Sequence, residues 1–199
     1  PGCNYFAMDL LEISSLNMEF DFVLSAFDVF NYLSDFEEFK LGLKEVYSSL
    51  SEDGKFVFDI HTPKKVTDML EKQVFGYEDE EISYLWFTYE TENSLEVESE
   101  LSFFIKENNG LYKKLEQFHS QRTYEIESVL DEIQNIGFKV KDYFCDFDKN
   151  NKKIFSFEKK RVLTLEVDKI QPSQFYIDED KVNALKSFIK NSKNIVIQV

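Results

Sequence analysis

The sequence predicts an α/β fold: a parallel sheet built from βαβ units, an antiparallel β-meander inserted after them, and a closing antiparallel hairpin. Three observations predict it. Two short apolar runs, residues 20–26 (FDFVLSA) and 55–60 (KFVFDI), are rich in Phe, Val and Ile, too short for core helices, and separated by one amphipathic helix. Residues 82–121 then switch to long alternating segments, the pattern of an antiparallel sheet with one wet face. Finally, a helical stretch ending at Gly137 is followed by two strand-like runs joined by a polar turn.

Taken in order, residues 1–20 read as the middle of a fold. Cys3-Asn4-Tyr5-Phe6-Ala7 is strand-like and Met8-Asp9-Leu10-Leu11-Glu12 turns out of it, with too little in front to begin a parallel sheet. The six glycines are never closer than 12 residues apart, so a G-x-G-x-x-G loop is absent. In the first βαβ unit the helix starts at Ser34-Asp35 and carries Phe36, Phe39, Leu43, Val46 and Leu50 at helical spacing. It is expected to stop at Glu52-Asp53-Gly54. Parallel strands deliver their carboxyl ends to a common crevice, here Ser25-Ala26-Phe27-Asp28 and Asp59-Ile60-His61-Thr62, so ligand chemistry is expected there.

Thr62-Pro63-Lys64 opens a second helix through Leu70, with Thr as N-cap and Pro at the first helical position. The meander segments, residues 82–90, 95–106 and 111–121, are separated by Glu92-Asn93 and Asn108-Asn109-Gly110. They place Tyr84, Trp86, Val97, Phe103, Ile105 and Leu115 on one side. Residues 124–136 return to helical spacing through Ile126, Val129, Leu130 and Ile133. Residues 138–147 and 154–167 form the hairpin around a turn at 149–153, and the tail holds a helix over 178–190 and a short apolar end at 195–199 with no evident partner.

Composition narrows the function. A formal charge of -15, from 23 Lys plus Arg against 38 Asp plus Glu, argues against a nucleic-acid partner. The basic clusters Lys152-Lys153 and Lys159-Lys160-Arg161 are flanked by strand-like residues and read as a solvated edge. With no apolar run of about 18 residues and no signal-peptide pattern, neither membrane insertion nor secretion is expected, and the chain reads as cytoplasmic. Cys3 and Cys145 lack metal-type spacing and read as reduced thiols. His61 and His119, without a spaced carboxylate or Cys partner, predict no metal site.

Three segments in this order carry a resemblance: Asp28-Val29-Phe30-Asn31-Tyr32-Leu33, Phe58-Asp59-Ile60-His61-Thr62-Pro63-Lys64 and His119-Ser120-Gln121-Arg122-Thr123-Tyr124. With the acidic turn Phe6-Ala7-Met8-Asp9 before them, the chain resembles class I S-adenosylmethionine-dependent methyltransferases over roughly residues 5–167. The resemblance implies a Rossmann-like methyltransferase sheet, with residues 1–170 as that domain, 80–122 as a meander over the active site, and 171–199 as an extension. It implies S-adenosylmethionine as cofactor and a small-molecule acceptor. Asp9 matches the residue that accepts a hydrogen bond from the adenine amino group, and Leu10 the one whose N–H meets the ring. Phe27 and Asp28 match the segment beside the methionine part, Asn31-Tyr32 the segment leading to the reacting methyl, and His119 and Arg122 positions near the substrate mouth. The family's glycine-rich loop and ribose-binding acid would precede Pro1, so two βα units, on the order of 60 residues, are expected upstream.

Methyl transfer from a sulfonium is a direct displacement, so the protein must align nucleophile and methyl and remove a proton where the nucleophile carries one. His119 is the candidate base, because imidazole titrates near neutrality; its bland reading is a hydrogen-bonded histidine on a sheet surface. Arg122 could clamp a substrate carboxylate or phosphate, or pair with Glu125 or Glu127. Asn31, Asp59 and His61 are expected on the substrate side, each with a capping or bracing reading beside it. Trp86, next to Tyr84 and Phe87 in strand register, could wall a substrate pocket or fill the meander core. Asp9, Leu10, Phe27, Asp28 and Tyr32 are expected to hold the cofactor. The competing expectation is a non-catalytic module that forms a homodimer or binds a partner through a sheet edge left uncovered upstream.

Overall fold

The computed structural model describes residues 6–142, 155–159 and 194–197, with side chains over 6–141. The readings placed on Cys3, Cys145, Lys152, Lys153, Lys160, Arg161, the 149–153 turn and the 178–190 helix lie outside those residues.

Strands β1 (Phe20–Ser25) and β2 (Leu50–Phe58) are parallel, with Ser25 level with Phe58 and helix α1 (Phe36–Ser49) between them in sequence. The closing hairpin is present as expected. β7 (Phe138–Asp142) and β8 (Phe155–Lys159) pair antiparallel, and β8 pairs antiparallel with β2. The apolar end of the tail does have a partner: β9 (Asn194–Ile197) lies parallel against the free side of β1, giving the order β7-β8-β2-β1-β9. Four residues pairing with a strand so distant in sequence leave no periodic signal to read.

Asp35 caps α1 by accepting the Glu38 N–H at 2.9 Å. The helix ends at Ser49 rather than at Gly54. Leu50, fully buried, is drawn into β2, and residues 51–54 bulge out between the pairs Phe20–Leu50 and Phe22–Lys55. Gly54 serves that bulge, since a Cβ there would lie 2.9 Å from the Ser51 carbonyl oxygen and 3.0 Å from Leu50.

The core under this sheet is aromatic. Phe30 meets Phe39 edge-on at 5.4 Å between centroids and Phe58 at 5.1 Å, while Phe56 stacks on Phe58 at 4.8 Å. Phe30 belongs to the 3-10 turn Val29–Tyr32 that directly follows β1, so its burial pins the turn carrying Asp28, Asn31 and Tyr32.

Helix α2 (Pro63–Lys72) starts as predicted, with the Thr62 hydroxyl accepting the Lys65 N–H at 3.0 Å, and runs two residues past Leu70. After it comes a strand the sequence did not announce, β3 (Val74–Glu78), whose central Gly76 breaks the alternation. It pairs with β4 (Ile82–Glu90), followed by β5 (Glu96–Lys106) and β6 (Tyr112–Arg122), in a four-stranded antiparallel sheet. The register sets Tyr84 against Phe103 and Phe103 against Leu115, so the six apolar residues do share a face. That face is the inner one, because Trp86 and Val97 bury against Val66 and Met69 of α2. Helix α3 (Ile126–Ile136) then ends at Gly137, whose left-handed φ of 108° lets its N–H reach the carbonyls of Ile133 and Gln134. Among the described residues no helix is long and apolar enough to cross a membrane.

Candidate active site

The chain leaves β1 through two residues in the left-handed region, Phe27 at φ 70° and Asp28 at φ 61°. Each such conformation costs a non-glycine residue about 1–3 kcal/mol, so the surroundings must enforce it. They do so by tying the two strand ends together. Asp28 Oδ2 lies 2.7 Å from His61 Nε2, and the Asp28 N–H donates to Asp59 Oδ1 at 3.4 Å. The Asp28 carbonyl accepts the Asn31 N–H at 2.9 Å, and Phe30 is sunk in the core. The ends of β1 and β2, which the sequence placed side by side, are thus joined by their own side chains.

Asn31 extends the junction to the meander. Its Oδ1 accepts the His61 N–H at 2.7 Å and its Nδ2 donates to the Arg122 carbonyl at 2.6 Å. The Thr123 hydroxyl donates to the His61 carbonyl. Both polar ends of a fully buried amide are therefore used to fasten three separate segments, a bond set whose loss would leave backbone groups without partners.

The electrostatics follow from burial. Burial pushes the His61 imidazole down, against the pull of Asp28, so it is held neutral. A neutral ring that donates Nε2–H to Asp28 leaves Nδ1 as a bare lone pair, which matches a buried Nδ1 without a hydrogen-bond partner. For Asp28 burial works the other way, but the hydrogen bond it accepts from His61 and the nearby Lys65 charge hold its carboxyl below the usual range. Burial, and then the charge of Asp28, push the neighbouring Asp59 up to about 7. Two adjacent carboxyl groups thus differ in kind: one is fixed as an anion, and the other changes protonation near neutrality.

Tyr32 stands on the same turn, its hydroxyl 3.0 Å from His119 Nδ1 and its ring edge-on to the imidazole at 5.7 Å. This contact bridges the β1 turn and β6. Arg122 pairs with neither Glu125 nor Glu127. Its guanidinium donates to Glu96 Oε1 at 3.2 Å, straight across the β5–β6 register. Phe27 is 45% exposed at the lip of the crevice. Asp9 caps the 3-10 turn Leu10–Leu16 by accepting the Leu11 N–H at 2.9 Å, and Leu10 packs on the core beside Gly42 of α1. Asn31 and His61 are buried within the junction itself, and Trp86 is buried in the meander core against Val66 and Met69 of α2. Sequence reasoning quoted Thr123 within its segment without a role and passed over Glu96; their contacts give both a place.

No family model matches the chain. In sequence it is 33% identical over 143 residues to a protein of Geobacillus sp. (strain WCH70) named "Putative methyltransferase", a match that covers 72% of this chain. The chain spans 58% of the length of the curated relatives it matches. In structure it is similar to an S-adenosylmethionine-dependent methyltransferase from Clostridium acetobutylicum ATCC 824, with a TM-score of 0.68 and 24% identity over 79% of this chain and 64% of that one. It is also similar to CalS10, an amino pentose methyltransferase from Micromonospora echinaspora solved with S-adenosylmethionine bound, with a TM-score of 0.55 and 14% identity over 71% of this chain and 59% of that one.

Proposed function

We propose, on the premise that this chain has the class I S-adenosylmethionine-dependent methyltransferase fold, that it forms the acceptor-side part of a methyltransferase using S-adenosylmethionine and acting on a small molecule. One observation carries the proposal most. The carboxyl ends of two parallel strands are locked together at Asp28, Asp59 and His61, with the Tyr32–His119 pair on the same turn. In open α/β sheets that end is where ligands bind.

The residues present suit the donor. The exposed Phe27 ring and the permanently ionised Asp28 make an aromatic, anionic lip, favourable to a sulfonium cation. When bound, S-adenosylmethionine supplies an electrophilic methyl group on a positively charged sulfur. Phe27, Asp28 and Tyr32 are assigned to its methionine side, and Asp9 and Leu10 to its adenine. His119 is assigned as the group that takes the acceptor's proton, directly or through the Tyr32 hydroxyl at 3.0 Å. Arg122 acts by position: its ion pair with Glu96 and its carbonyl bond to Asn31 hold the end of β6 against the crevice. Asn31 and His61 brace the wall, and Asp59, partly exposed and titrating near neutrality, faces the acceptor side. A small-molecule acceptor is supported by the amino pentose acted on by CalS10 and by the charge of -15, which disfavours nucleic acid.

The test is calorimetric titration of S-adenosylmethionine into this chain extended at its amino terminus by its natural upstream residues. The proposal expects saturable binding by the extended chain, weakened at least tenfold by Asp28→Ala. Absence of binding to the extended, folded chain would end it.

A further inference from the structure

Strand β6 is an edge strand: among the described residues it pairs with β5 on one side and with no strand on the other, where the Val29–Tyr32 turn meets its end at His119 and Arg122. It is also unusually bare, with Tyr112 56%, Leu115 41% and Phe118 73% exposed. Soluble proteins seldom leave a long edge in this state, because its unpaired N–H and C=O groups template pairing with another strand.

The side chains along that edge are self-complementary. Tyr112, Lys114, Glu116 and Phe118 alternate along the strand and so share the face turned away from α2, while Leu115 lies on the opposite face beside Phe103. Read in either direction, the outward row is aromatic, charged, charged, aromatic, with the sign of the charge inverted. Lys114 and Glu116 already lie 2.6 Å apart within one strand, both half-exposed.

We propose that β6 is a self-pairing edge through which two copies of this chain join antiparallel about a two-fold axis at Leu115. In that register Leu115 faces the partner's Leu115, Lys114 faces the partner's Glu116, and Tyr112 faces the partner's Phe118. Directly opposed residues of an antiparallel pair share a face and interact, so the two ion pairs form a square of alternating sign flanked by two aromatic pairs. Neighbouring registers lack this property. Pivots at Lys113 or Lys114 set lysine against lysine, a pivot at Glu116 sets glutamate against glutamate, and a pivot at Gln117 leaves Glu116 facing an aromatic ring. The chosen register also brings the partner's Leu111 opposite His119, so that a second copy would wall the Tyr32–His119 side of the crevice.

Sedimentation equilibrium of the whole chain with two charge reversals tests this. The wild-type chain is expected to be dimeric. Lys114→Glu and Glu116→Lys are each expected to dissociate at least about tenfold more readily, because each turns both ion pairs into like-charge pairs. Mixed in equal amounts, the two variants are expected to form a one-to-one heterodimer, since each then meets opposite charge at both positions. That recovery cannot arise from misfolding or from the intrastrand pair alone. A monomeric wild type, single variants that dimerise as well as wild type, or a mixture that stays monomeric would each overturn the proposal.

Discussion

Where the turn after β1 and helix α1 pack on the five-stranded sheet, Phe30, Phe39, Phe56 and Leu43 have no accessible surface, whereas the four-stranded antiparallel sheet buries Trp86 and Val97 but leaves Leu85, Tyr89, Leu115 and Phe118 exposed. The first region spends its burial on rigidity. Phe30 of the turn that carries Asp28, Asn31 and Tyr32 packs on Phe39, Phe56 and Phe58, and this burial with the hydrogen bonds of Asp28 and Asn31 holds Phe27 and Asp28 in the left-handed region. The second region meets the turn after β1 at the end of its last strand, through His119 and Arg122. The groups proposed for the donor side thus sit on the well-buried part of the molecule, and those proposed for the acceptor side on a more exposed sheet.

Substitutions in the two regions test that contrast. The largest effect is expected for Phe30→Ala, which empties the fully buried centre of the aromatic core and should cost about 3–5 kcal/mol in denaturant unfolding. Loss of only about 1 kcal/mol would show that the turn is not anchored there. Next comes Asn31→Ala. It strands the His61 N–H and the Arg122 carbonyl, so about 2–4 kcal/mol should be lost, with faster amide exchange at the end of β6.

Asp59→Asn should act in the opposite direction. Burial and the charge of Asp28 raise Asp59 to about 7, so the folded chain holds a proton that the unfolded chain releases above about pH 4. Stability from this group is present at low pH and lost as the pH rises from about 4 to 7. The asparagine variant should therefore be more stable than wild type at pH 8 by roughly 1–3 kcal/mol and by less than about half as much at pH 5, as read by urea titration at both values. Equal differences at both pH values would contradict the burial assigned to Asp59. The smallest effect belongs to the exposed sheet: Tyr89→Phe, which removes one 3.3 Å bond to Glu100 on the outer face, should stay within about 0.5 kcal/mol of wild type.

Much of the fold was legible because it rests on local pattern. Asp35 and Thr62 announce their helices, Gly137 ends one, and alternation finds β4, β5 and β6. Where the sequence misled, a tertiary term won over a local one. Gly54 suits a helix end, yet the burial of Leu50 in β2 stops α1 five residues earlier. Gly76 hides β3, and β9 is too short to be told from a tail except by its pairing with β1.

The site was legible by position and not by contact. Parallel-sheet logic brings Asp28 and His61 to one end, but their 2.7 Å bond needs a left-handed turn at Phe27 and Asp28, and a phenylalanine does not advertise that conformation. The partner of Arg122 was likewise a matter of register. Glu96 lies directly across β5–β6, whereas Glu125 and Glu127 are near only along the chain.

Hydrogen–deuterium exchange of the upstream-extended chain, with and without S-adenosylhomocysteine, tests most directly whether the joined strand ends form the donor site. Slower exchange at residues 9–11, 26–33 and 59–62, with 111–118 unchanged, is the predicted result. Protection elsewhere that leaves 26–33 exchanging at its original rate would contradict it.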